Sequence, residues 1–399
     1  MAREIHYEIF ARQGSKGGWR MVEVRSERDA ALELAKELMA DGRATGVKVV
    51  KETFNDDSGE YLTLKIFEDG HNQFKMAPAQ EDVPHALPCF KPDDLYSYHA
   101  RATITRLLAD YLARNKLTVT ELCHRADALE KLEATGTVLQ HAIQRVAVAQ
   151  AASTTTPVQQ IVKSLIELTN AAMQRVYRDS RKGVFTRVEA DGFNALAAKL
   201  SGTADGAYLL NGALALYLRD AKGWDEKLVR LLAVLERADG AGGPMLLTAI
   251  DAIVAEILSG SAALHELIGP RENFGAQLAS LVELFLGAEP KGERAGLIAL
   301  TKHFAADDLA EARTAIAARL MAEFKSVKRL APASLFEEFQ TLRRIADRLV
   351  RGIGKYLSHD DLVAAVTLRS KRLVTHETLG EHLADAATAD EKLSRLMFV

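Results

Sequence analysis

Cysteine, proline and aromatic residues are what this 399-residue chain has least of: two cysteines, nine prolines and an aromatic share of 6%. Two cysteines, Cys89 and Cys123, are too few for a disulfide scaffold and fit a reducing compartment. Scarce proline and aromatics disfavour an all-β protein and suit helices. Neither sign of charge is in excess, with 51 Lys and Arg against 54 Asp and Glu. That balance excludes the strongly basic character of a dedicated nucleic-acid binder and the acidity of a solvating tail. No stretch approaches the roughly 18 uncharged apolar residues of a membrane-spanning helix. The most apolar run, 209–218, is interrupted by Asn211 and reads as a buried core helix. The opening residues, MAREIHYEIF, carry no apolar core followed by a small-residue cleavage site, so no secretory signal is visible and the cytoplasm is the expected compartment. An excess of arginine over lysine, 30 to 21, with abundant alanine points to a GC-rich bacterial genome.

What is present is an ordinary globular composition, 48% hydrophobic and 26% charged, long enough for two or three domains at about 150 residues each. Residues 5–11 alternate, with Ile5, Tyr7 and Ile9 on one face and His6, Glu8 and Phe10 on the other, which predicts a strand. The glycine-rich 14–18 reads as a hairpin turn into a second strand over 19–24. Ser26 and Asp29 have the spacing of a capping box ahead of a helix whose apolar stripe is Ala31, Leu34, Ala35 and Leu38. Two further strands follow, beginning at Val47 and spanning Leu62 to Ile66. The expected fold class is therefore α+β: a small ββαββ antiparallel sheet domain over 1–68, then helices. One helix covers only one face of such a sheet, so the other face or an edge strand must meet solvent, the rest of the chain or a partner. Packing against the rest of the chain is expected.

Residues 69–93 lose periodicity and hold Pro78, Pro84, Pro88 and Pro92, the signature of a linker. Beyond Asp93, which can cap a helix, the spacing predicts helices over 94–115, 118–132, 136–151, 157–178, 188–200, 204–220, 224–238, 244–258, 273–287, 306–328, 333–351, 360–373 and 377–397. We expect a helical subdomain over 94–182 and a helical array or bundle over 183–399. Breaks fall about 20 residues apart between 186 and 288, but no signature residues recur at a fixed period, so an irregular bundle is expected and not a solenoid. Leu393, Leu396, Met397 and Phe398 are still apolar at helical spacing, which suggests a chain truncated at its C-terminus.

Motifs that carry chemistry fail on spacing. Gly14 to Gly18 lies between two strands and lacks the P-loop pattern, and Arg351-Gly-Ile-Gly-Lys355 follows a helix with no Ser or Thr after the lysine. His85, Cys89, His99, Cys123 and His124 fall within forty residues but form no zinc-ligand pairing, and read as a buried cysteine among surface histidines. His376 and His382 lie about 240° apart around a helix, which defeats a metalloprotease reading. Ser358 with Asp361 has the form of a helix cap, and His303 with Asp307 and Asp308 precedes an expected helix start. No catalytic residue, metal or cofactor is expected.

The most informative stretch is 335–356. Leu335, Phe339, Leu342, Ala346, Leu349, Ile353 and Tyr356 recur at spacings of four and three, the pattern of an apolar helix seam. Arg344, Arg348, Arg351 and Lys355 form a basic stripe on the opposite side, extended downstream by Arg369, Lys371 and Arg372. Residues 319–372 carry 12 basic and 6 acidic side chains, whereas 243–290 carry 1 and 6, so a near-neutral chain contains an acidic and a basic helical segment. The two could face one another. The leading expectation is a non-catalytic regulatory, signalling or adaptor protein that binds a protein partner and self-associates through the seam. An anion- or nucleic-acid-binding module using 319–372 is a second reading, less favoured because no aromatic stacking set accompanies the charges. An enzyme with an inter-helical pocket is a third.

Overall fold

The computed structural model describes residues 5–13, 19–55, 60–70, 86–288, 294–331, 334–374, 376–384 and 386–398. The chain divides into two compact units, residues 1–82 and 83–399.

The first unit has the expected ββαββ order: β1 (Ile5–Arg12), β2 (Arg20–Arg25), α1 (Arg28–Ala40), β3 (Gly46–Asn55) and β4 (Glu60–Gly70). All pairings are antiparallel, in the order β2-β1-β3-β4. Ile9 lies opposite Val49, and with Val47 these side chains bury against Ala31, Ala35 and Leu38 of α1. The opposite face carries Phe10 and Lys48 side by side, the Lys48 ammonium 4.5 Å from the Phe10 ring centre. Ser26 does not cap α1. Glu27 occupies the N-cap without a side-chain hydrogen bond, so the helix is held by its apolar stripe. The turn at 14–18 and most of the expected linker, 71–85, lie outside the described residues.

The second unit is helical from a 3-10 turn at Pro92–Tyr96 onward. Its first helices are α2 (Tyr98–Leu107), α3 (Ala109–Asn115), α4 (Val119–Leu122), α5 (Ala126–Glu133), α6 (Val138–Ala151) and α7 (Val158–Arg181). Then come α8 (Phe193–Leu200), α9 (Gly206–Leu218), α10 (Trp224–Leu235), α11 (Gly243–Ser259), α12 (Ser261–Ile268), α13 (Phe274–Phe285), α14 (Ala295–Ala306) and α15 (Ala310–Phe324). The last are α16 (Leu335–Val350), α17 (His359–Leu373), α18 (His376–Ala384) and α19 (Ala389–Phe398). Three expected helices are each broken in two: 94–115 at Leu108, 118–132 at Cys123 to Arg125, and 377–397 between Ala384 and Ala389. Asp93 does not cap α2. Ser97 does, its hydroxyl accepting from the Ala100 amide, while the Asp94 carboxylate accepts from the amides of Phe90 and Lys91.

Two helices, α12 and α14, were not legible in the sequence, and neither has a side-chain cap at its start. The expected start at 306 is also corrected: Asp307 ends α14 in the left-handed region (φ 59°), and α15 begins at Ala310. Its cap comes from another helix. The Asp251 carboxylate of α11 accepts from the amides of Glu311 and Ala312, each at 2.8 Å. An acidic residue of the 243–290 segment is thus spent on the positive end of a neighbouring helix. By contrast Ser358 caps α17 as expected, accepting from the Asp361 amide.

The apolar core of this unit forms two clusters. The larger runs from Phe193 to Ala365, with Ile250, Ile253, Val254 and Leu258 of α11 fully buried among α8, α10 and α15. The smaller runs from Leu108 to Val176 and is built by α3 to α7. Among the described residues no single helix is long and apolar enough to cross a membrane; α11 and α12 pass that test only together, bent by 87°.

Candidate functional site

Two environments lie on either side of α2. One face of this helix, Arg101 with Thr105, turns toward α11 and α15. Arg101 donates to the Glu256 carboxylate (3.1 Å), the Ala252 carbonyl (3.3 Å) and the Glu311 carboxylate (2.7 Å). Glu256 in turn accepts from the backbone amide and the hydroxyl of Thr120, both at 2.9 Å. Burial raises the Glu256 carboxyl above its ordinary range, against the lowering effect of Arg101. All of these groups are partnered, so the cluster is a tether between helices α2, α4 and α11.

A second tether fixes α4 from the other side. Thr118 and Glu121 form a reciprocal capping box, and the same Glu121 carboxylate binds the Lys227 ammonium of α10 and the Arg125 guanidinium. Glu121 is fully buried and Lys227 keeps 2% of its surface. Lys227 also donates to the Lys116 carbonyl at 2.5 Å. Desolvation pulls the Lys227 pKa below its usual value, opposed by Glu121. The sequence did carry a signal for this pair: Lys227 lies between Trp224, Leu228 and Leu231 on the apolar side of its helix, where a cation needs a buried partner.

The other face of α2 lines an apolar cavity of about 140 Å³. Ile104 and Leu107 of α2 meet Leu129 of α5, Leu139 and Ile143 of α6, and Met173 of α7. Both cysteines of the chain lie in its wall, Cys89 on the 86–90 segment and Cys123 just beyond α4. Burial pushes the Cys123 thiol up to about 12 and raises Cys89 as well, so both are neutral thiols. Among the described residues no charged side chain lines this cavity. Gln150 spends its amide nitrogen on the carbonyls of Ala86 (3.2 Å) and Leu87 (3.5 Å), which straps the 86–90 segment over the wall.

His124 is the main correction among the candidate ligands. Expected among surface histidines, it is 2% exposed. Its Nδ1 lies 2.7 Å from the Thr120 carbonyl and therefore carries the proton it donates there. Nε2 is buried without a hydrogen-bond partner, and the rings of Tyr96, Tyr208 and Phe185 surround the imidazole at centroid distances of 5.1, 5.1 and 6.1 Å. Burial lowers its pKa to about 4, with the Arg175 charge acting the same way, so the ring is neutral near pH 7. Gly212 makes room for this cluster, because a Cβ there would overlap the Phe185 ring. No group of three or more His, Cys, Asp or Glu among the described residues could hold a metal ion; His85 lies outside them.

The structure divides the basic stripe. Arg344, Arg351 and Lys371 are exposed. Arg348 pairs with Glu283 of α13, and Lys355 lies 3.3 Å from Asp307. Arg372 donates to the Lys325 carbonyl. Arg369 is a correction: it keeps 3% of its surface and donates to the carbonyls of Phe324, Ser326 and Lys328, closing the end of α15. It is a brace and offers nothing to an anion in solution. The Arg348–Glu283 pair brings the basic and acidic segments together at one point.

The seam is spent inside the chain. Leu335, Phe339, Leu342 and Leu349 are buried, Ala346, Ile353 and Tyr356 are half-buried, and α16 packs on α13 and α17. Ile345, which the seam reading omitted, is 1% exposed. Intramolecular packing therefore takes the face that self-association was expected to use. No protein-family model matches the chain, and no curated protein or solved structure matches it either.

Proposed function

We propose that the chain is a non-catalytic regulatory or adaptor protein that works in the cytoplasm through protein–protein contact. The observation that supports this reading is the free face of α19. Leu393, Leu396 and Met397 recur at i, i+3 and i+4 and keep 60%, 42% and 81% of their surface. Charged neighbours Asp390, Glu391, Lys392 and Arg395 flank them, giving the rim of charge around an apolar centre that protein contacts favour. The buried charges of Arg101, Glu256, Glu121, Lys227 and Arg125 are partnered in tethers between helices, which is a structural use of charge. With the α16 seam buried, α19 replaces it as the face for a partner chain or a second copy.

The test uses the full chain. Light scattering and crosslinking should show a defined oligomer or a stoichiometric partner, and the double variant Leu393→Glu, Met397→Glu should abolish it while leaving the unfolding midpoint unchanged. Retention of the same assembly by the double variant rejects α19 as the contact face. A monomer that recovers no stoichiometric partner rejects the reading as a whole.

A further inference from the structure

We propose that the cavity beside α2 is a binding site for a small, neutral, apolar molecule of about the size of benzene. Three features of the site set that chemistry. The first is volume. About 140 Å³ matches the roughly 150 Å³ of a dry apolar cavity that accepts benzene, and falls well short of the 300 Å³ and more that larger ligands take. The second is the wall, which among the described residues is mainly aliphatic with one aromatic ring, Tyr96, and no ion. A carboxylate or ammonium entering it would lose its hydration with no countercharge to replace it. The third is that two of the wall's polar groups are engaged elsewhere. The Thr169 hydroxyl donates to the Leu165 carbonyl of its own helix, and the Gln150 amide nitrogen holds the strap. Both wall thiols are neutral. Recognition therefore rests on shape and exclusion of water, and it discriminates against charge. The reading is independent of the α19 contact face and stands or falls apart from it.

The strap supplies a built-in reporter. Cys89 and Cys123 are the only cysteines in the chain and both border the cavity, so any thiol reagent that reaches them reports on this one place. The experiment uses the purified full chain with benzene as probe and hexanoate as a charged compound of similar size. Benzene should raise the unfolding midpoint saturably, by about 2–4 °C at a hundredfold excess over Kd, and should slow alkylation of the cysteines by a neutral maleimide in proportion to occupancy. Hexanoate should do neither. Ala172→Leu, which fills the cavity from α7, should remove both benzene effects; should that variant fail to fold, Ala142→Val on α6 tests the same point. Absence of a benzene effect in the wild type overturns the proposal. So does an undiminished effect in the folded filled variant, or equal binding of hexanoate.

Discussion

Around α13 and α14 the helices close on their neighbours through glycine, and around α2 they do not. A Cβ on Gly275 would lie 2.7 Å from the Leu330 carbonyl oxygen, and one on Gly296 would lie 2.8 Å from the Asp225 carboxylate. Those contacts exist because the residue has no side chain. Between 86 and 182 the sequence holds a single glycine, Gly136, and it sits in a turn at φ 71°. The helices there approach only as closely as alanine and larger residues permit. Two buried ion clusters, Glu121–Lys227–Arg125 and Glu256–Arg101–Glu311, also fix α2 and α4 against α10, α11 and α15. One region is packed to contact and the other is held open from outside. Voids forfeit dispersion contacts, and the ion clusters hold α2 and α4 to helices other than α5, α6 and α7 of the cavity wall.

The most damaging way to break the contrast is to cut the α4 tether. Glu121→Ala leaves the Lys227 ammonium with only the Lys116 carbonyl and leaves Arg125 with Asp127 alone, and removing one partner of a buried pair costs about 3–5 kcal/mol. Urea denaturation measures it. The variant should also lose the benzene response, because α4 carries Leu122 and leads to Cys123 in the cavity wall. A cost below about 1 kcal/mol would mean that the pair is not what holds this region in place.

Next in size is a pH effect. His124 has its pKa lowered to about 4 in the folded chain, against 6.5 for the free side chain. Between those values the unfolded chain binds the proton that the folded chain refuses, so this group's contribution is fully present above about pH 6.5 and is lost as pH falls toward 4. A shift of that size corresponds to about 3 kcal/mol. The chain holds ten other histidines and many carboxylates, so the comparison is with His124→Phe. The difference in unfolding free energy between the two proteins should shrink by about that amount from pH 7 to 4. Parallel pH profiles would place the imidazole in contact with water.

The sheet domain and most helices were legible because their signals are local. Alternation gives β1, and apolar stripes give α1, α6, α7 and α16. What was illegible depends on residues far apart in the chain. The cap of α15 is Asp251, sixty residues upstream of the amides it receives. Arg369 sits in a sequence that reads as a solvated basic run, and only the carbonyls of 324–328 make it a buried brace. His124 is adjacent to Cys123 in sequence, yet its environment is Tyr96, Phe185 and Tyr208. The cavity has no signature of its own, since its lining is mostly leucine and alanine, the residue types that also fill the larger core.

Two single substitutions of opposite sign test the contrast at its finest. Gly212→Ala on α9 adds one methyl where the Phe185 ring already lies, so either the ring or the helix must move, at about 1–3 kcal/mol. Its displacement would also disturb the ring packing around His124. Ala172→Leu on α7 adds three carbons where the structure has space. Burial of apolar surface favours that change by up to about 2 kcal/mol, and imperfect fit leaves a net gain of about 1 kcal/mol. The sign is the decisive quantity. Chemical denaturation should find Gly212→Ala less stable and Ala172→Leu more stable than the parent. A loss of stability in both would mean that the cavity walls resist filling as the glycine contacts do, and the two regions would then be equally well packed.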